Sequence, residues 1–97
     1  MNVREYFQMR MSPVCGGAII FLDKVHPNND PKDHTTFGEI LATMPADSPC
    51  GTECISAIDN AAAVCQDIRN AFGDDKTRLF ENVVYANLRT LSCFICG

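Results

Sequence analysis

The first half of the chain changes its hydrophobic rhythm repeatedly, whereas the second half keeps one rhythm. In residues 6–12 the apolar side chains Phe7, Met9 and Met11 alternate with Gln8, Arg10 and Ser12. Period two marks a strand with one face buried. Asn2 and Glu5 also have the spacing of a capping box, so a short helix from Asn2 competes with the strand. The alternation favours the strand. Pro13 and the pair Gly16-Gly17 then punctuate the chain as a turn. Ala18-Ile19-Ile20-Phe21-Leu22 follows, continuous, apolar and partly β-branched, which reads as a buried strand. The two expected strands close a hairpin across residues 12–17.

From His26 to His34 prolines, asparagines and aspartates crowd together, and this stretch reads as a surface loop. Thr36 and Glu39 have capping-box spacing, and Phe37, Ile40, Leu41 and Met44 fall on one side of a short helix that Pro45 stops. Ser48-Pro49 predicts the start of a longer helix, with a side-chain oxygen as cap and proline at the first helical position. Gly51 in its first turn weakens it slightly. Its apolar stripe is Cys54, Ile58, Ala61, Cys65, Ile68 and Phe72, in steps of four and three. Polar residues, among them Glu53, Asp59, Asn60 and Asp67, occupy the other side. Gly73 has the place of a helix-ending C′ residue. Asp74-Asp75 opens a last helix, with Phe80, Val84, Leu88, Leu91 and Ile95 as its stripe and Leu79 and Val83 behind them.

The expected fold class is therefore α+β: an N-terminal β-hairpin, one short helix and a C-terminal antiparallel helical hairpin. Residues 1–97 are expected to form a single domain, since the chain is too short for two. A turn centred at residue 74 places residues whose numbers sum to about 148 at equal height. Cys50, Cys54, Cys93 and Cys96 then gather at one end of the hairpin. Cys65 lies further along, among alanines, as a small buried hydrophobe.

Three readings compete for that cluster. The first is reduced thiols with no shared role. The second is disulfides between the two helix ends, conditional on an oxidising compartment. The third is a structural zinc held by four thiolates as C-x3-C and C-x2-C. Six cysteines allow 15 complete pairings, and spacing does not choose among them. At about 6% of the chain they fall below the density of disulfide scaffolds. Cys15 before Gly16-Gly17 is a weak candidate nucleophile, with His26 or His34 as base; a turn cysteine packed under the hairpin explains it better. His26, Asp30, Asp33 and His34 lack the ligand spacing of calcium loops or zinc enzymes, so a solvated loop is expected there.

Charge narrows the function. The chain carries 8 Lys+Arg against 12 Asp+Glu, a formal net charge of -4 with pI near 4.9. That balance argues against a surface that grips nucleic-acid phosphates. Residues 1–46 contribute 4 basic and 5 acidic side chains, and the remainder 4 and 7, hence −1 and −3. The longest uninterrupted apolar run, Ala18–Leu22, is far too short to span a membrane, so no membrane association is expected. Glu5, Gln8 and Arg10 interrupt any apolar leader core at the start of the sequence, so either the protein stays in the cytosol or a leader was removed before this numbering begins; Met1 favours the cytoplasmic reading.

Glu53, Asn60, Asp67 and Asp74 recur every seven residues on the face away from the stripe. A solvated outer face explains this pattern, and so does a negative surface that docks on a basic groove of a larger protein. The expected function is a small acidic, non-enzymatic interaction protein that inhibits or adapts such a partner, through Glu53, Asp59, Asp67, Asp74 and Asp75. In type the chain resembles phage-encoded inhibitors of host defence, anti-CRISPR proteins among them: short, single-domain, acidic and motif-poor. No cofactor is expected, zinc at Cys50, Cys54, Cys93 and Cys96 being the exception. The alternative function is a cysteine-rich structural module held by zinc or disulfides at those four residues. Surplus apolar positions such as Leu79 and Val83 leave room for a homodimer.

Overall fold

The computed structural model of the chain describes residues 1–26 and 29–73. The second arm of the expected helical hairpin lies outside them, and with it Leu79, Val83, Asp74, Asp75, Cys93 and Cys96. The described residues form helix α1 (Val3–Met11), a 3-10 helix (Gly16–Asp23), helix α2 (Phe37–Ala42) and helix α3 (Pro49–Phe72). The expected N-terminal β-hairpin is absent, and with it the α+β class. The extended pairings among the described residues are two isolated antiparallel bridges, Asn2 with Pro45 and Val25 with Thr36.

Both expected strands are helical for identifiable reasons. In residues 2–11 two periodicities overlap. A strand would send Phe7, Met9 and Met11 inward. The helix instead stacks Val3, Phe7 and Met11 on one side, all fully buried, and leaves Met9 53% exposed. Local signals support the helix. Asn2 Oδ1 accepts the Glu5 N–H at 2.9 Å, Glu5 lies in the first turn, and Arg10 lies in the last. The helix also carries Val3, which lies outside the expected strand, into the core and so adds buried apolar area.

The run Ala18–Leu22 has no polar position to reveal a period, so the sequence pattern leaves strand and helix unresolved there. Folded as a 3-10 helix, it buries Ala18, Phe21 and Leu22 and turns Ile20 outward. With three residues per turn, Ala18 and Phe21 eclipse each other on the inner side.

An aromatic column ties these short elements together. The Phe7 and Phe21 rings lie 6.1 Å apart between centroids, Phe21 and Phe37 stack at 4.2 Å, and His26 meets Phe37 edge-on at 5.3 Å. The loop between the 3-10 helix and α2 is pinned at its neck. The His26 N–H donates to the Thr35 carbonyl at 2.8 Å, and the Phe37 N–H to the Lys24 carbonyl at 2.9 Å.

The capping expectations for α2 and α3 hold. Thr36 Oγ1 accepts the Glu39 N–H, and the Glu39 carboxylate accepts the Thr36 N–H, a complete capping box. Ser48 Oγ accepts the Gly51 N–H at 3.0 Å, Pro49 opens α3, and Gly73 closes it at φ 72. Gly51 is more than a tolerated weakness. A Cβ there would stand 2.0 Å from the Pro45 carbonyl oxygen, so only glycine lets the first turn of α3 pack against the preceding turn. That turn also holds the chain start: the Val3 N–H donates to the Met44 carbonyl at 3.0 Å, and the Ala46 N–H to the Met1 carbonyl at 3.2 Å.

At 24 residues, α3 is about 36 Å long. It buries Cys54, Ile58, Ala61, Ala62 and Cys65 in the common core, chiefly against α1, with Ile68 half-buried. Phe72, expected at the end of the stripe, is 59% exposed.

Candidate docking face

α3 presents two sides of different character. Toward α1, Asp59 lies on the flank of the buried stripe. Its Oδ1 accepts the Tyr6 hydroxyl at 2.6 Å and Arg10 Nε at 2.9 Å. Tyr6 and Arg10 are one turn apart on α1, so one carboxylate grips two successive turns of the neighbouring helix. Partial burial pushes the Asp59 carboxyl up. The hydrogen bonds from Tyr6 and Arg10, with the guanidinium charge, outweigh that and hold it below its ordinary value. The hydrogen bond to Asp59 comes first among the causes that raise the Tyr6 phenol, followed by burial and the carboxylate charge. Asp59 therefore joins helices, while the sequence pattern expected it on the outer face.

Away from α1, the exposed positions Glu53, Ser56, Asn60, Ala63, Asp67 and Asn70 follow one another at steps of three and four along α3. Glu53 and Asp67, both expected as binding residues, are on this face and exposed. They are four turns apart, about 21 Å along the axis. No lysine or arginine interrupts the stripe. Arg69, the basic residue of the last turn, is directed elsewhere: its guanidinium donates to the Pro13 carbonyl. The remaining proposed binding residues, Asp74 and Asp75, lie outside the described residues.

The cysteines are arranged differently from the expected cluster. Cys15, just before the 3-10 helix, is bonded to Cys65 in the middle of α3, with Cα atoms 5.6 Å apart. Cys65 is buried as expected, but as half of a disulfide rather than as an inert apolar filler. As a disulfide sulfur, Cys15 is not an available thiolate nucleophile. Cys50 is also disulfide-bonded, and Cys54 is a fully buried thiol. The four-cysteine zinc or disulfide set includes Cys93 and Cys96, so it extends beyond the described residues. Among the described residues no group of three or more His, Cys, Asp or Glu side chains is placed to hold a metal ion. In the loop, Asp33 accepts from Thr35 and Asp30 from the Lys32 N–H, contacts typical of turns.

Sequence reasoning missed Tyr6, Arg10 and the Cys15–Cys65 pair. Tyr6 and Arg10 were within reach: read as helical, residues 3–11 place both on one face at i and i+4. The pairing of Cys15 with Cys65 had no local signal. No helix among the described residues is long and apolar enough to cross a membrane. No protein-family model, no curated protein and no solved structure matches this chain.

Proposed function

We propose that the protein is a small non-enzymatic interaction module that docks the outer face of α3 on a basic surface of a larger protein, inhibiting or adapting it. The observation that supports this reading is the base-free exposed stripe on α3, with Glu53 and Asp67 toward solvent. Such a face attracts a positive surface at long range and speeds encounter in a salt-dependent way. Asp59 contributes by fastening α3 to α1, so that the stripe is presented on a fixed helix. The test is affinity capture on the wild-type chain and on Glu53→Lys/Asp67→Lys, at low and high salt, with mass spectrometry of what is retained. A partner with a basic surface, held by the wild type, released by salt and lost from the double reversal, is the expected result. Equal retention by both chains at all salt concentrations would overturn the acidic-face reading.

The second reading, a structural module held by its cysteines, draws support from the Cys15–Cys65 bond and from the bonded state of Cys50. Elemental analysis for zinc combined with thiol counting separates the two readings. Bound zinc, or a chain whose binding ignores Glu53 and Asp67 but fails on reduction, favours the module.

A further inference from the structure

The Cys15–Cys65 bond joins positions 50 apart in sequence and lies inside the core. Cys65 is fully buried and Cys15 almost so. Their Cα separation of 5.6 Å falls within the range of native disulfides, so the bond fits the placement of α3 against the start of the 3-10 helix. With Cys50 also bonded, three of the four described cysteines are oxidised, and the fourth, Cys54, is sealed away from solvent. Beyond Cys65 no residue of α3 is fully buried, and what fastens that last stretch is the disulfide, half-buried Ile68 and the contact of Arg69 with the Pro13 carbonyl.

We propose that the chain matures in an oxidising compartment, where a disulfide-bearing donor oxidises Cys15 and Cys65, and that their bond is then a permanent strut rather than a switch. Disulfides persist in such compartments and are reduced in the cytosol, so the oxidised cysteines support an oxidising compartment over the cytoplasm. The chemistry balances by exchange. The thiolate of one cysteine attacks the donor's S–S bond, forming a mixed disulfide and releasing one donor sulfur. The thiolate of the second cysteine then displaces the donor and closes Cys15–Cys65. Two electrons pass to the donor, which leaves as a dithiol carrying the two protons that the protein thiols gave up. Folding then buries both sulfurs, so an attacking thiolate cannot reach either of them while the core is closed.

The test is acid quenching and alkylation of the chain in the cells that make it, or in their medium, followed by digestion without reduction and mass spectrometry. Expected is a cross-linked Cys15–Cys65 peptide in nearly every molecule. Alkylated Cys15 and Cys65 in most molecules would overturn the proposal. So would an oxidised fraction that rises and falls with the redox state of the cell, since that is a switch. A second arm compares the thermal melting of the purified full-length chain with that of Cys15→Ser/Cys65→Ser, which lacks the bond whether or not the closed core admits a reductant. A Tm lower by roughly 15 °C in the double variant is expected for a strut across so long a loop, and an unchanged Tm would overturn it.

Discussion

Residues 1–46 and α3 reach the helical state by different routes. The helices of the first region are nine, eight and six residues long. Helices so short are marginal in water, and these depend on burying Phe7, Phe21 and Phe37 against one another, with α1 in turn packed on α3. Helix α3 is 24 residues long and carries its own instructions: a serine cap, proline at the first position, three consecutive alanines and a terminal glycine. It buries Cys54, Ile58, Ala61, Ala62 and Cys65 along its inner side, chiefly against α1, and leaves Glu53, Asn60 and Asp67 exposed on the other. The difference shows that local signals mark the limits of a long helix, whereas short elements take the conformation that the shared core rewards.

The largest effect should come from the aromatic column. Phe21→Ala removes the ring between Phe7 and Phe37 and should cost about 3–5 kcal/mol in urea unfolding. Loss well below that would mean that the first region does not depend on the column, and the contrast with α3 would fail. Gly51→Ala should come next, at about 1–3 kcal/mol, because its methyl group meets the Pro45 carbonyl. A neutral result would show that the junction between the two regions is loose.

The Asp59 clamp gives a smaller effect with a pH signature. Tyr6→Phe should cost about 0.5–1.5 kcal/mol near neutrality, one hydrogen bond at a partly buried site. The Asp59 carboxyl titrates below its ordinary value in the folded chain. Its contribution is therefore complete above the ordinary carboxylate range of about 4 and is lost as pH falls through the depressed value. The Tyr6 phenol titrates above its ordinary value. Its contribution is present below about pH 10 and is lost as pH rises through the raised value. Urea unfolding against pH should show that Asp59→Asn flattens the acid limb and Tyr6→Phe the alkaline limb. Identical profiles for wild type and variants would remove the clamp. The smallest effect on stability should come from Glu53→Lys/Asp67→Lys, within about 0.5 kcal/mol, since both side chains face solvent. A large loss would mean that the outer face is structural.

The same division explains what could be read in the sequence. Caps and stops are short-range chemistry, and the Thr36–Glu39 box, the Ser48-Pro49 start and the Gly73 stop are all found where their spacing places them. Residues 3–11 carried two periods at once: Val3, Phe7 and Met11 fit both, and the choice between them rested on Met9, which the helix turns outward. The 18–22 run carried no period at all. The outer face of α3 was legible at Glu53 and Asp67 because helical spacing alone puts them there. Asp59 lies on the flank, where its role depends on Tyr6 and Arg10 of a helix the alternation concealed. The Cys15–Cys65 bond depends on where the 3-10 helix docks, which no local pattern encodes.

Native-state hydrogen exchange along a denaturant series tests most directly whether the short elements and the inner face of α3 stand or fall together. Amides of α1, the 3-10 helix, α2 and residues 54–62 should merge into one opening at the global unfolding free energy, with residues 66–72 exchanging earlier. Exchange from residues 3–23 at a distinctly lower free energy than from residues 54–62 would contradict the shared core on which the fold is argued.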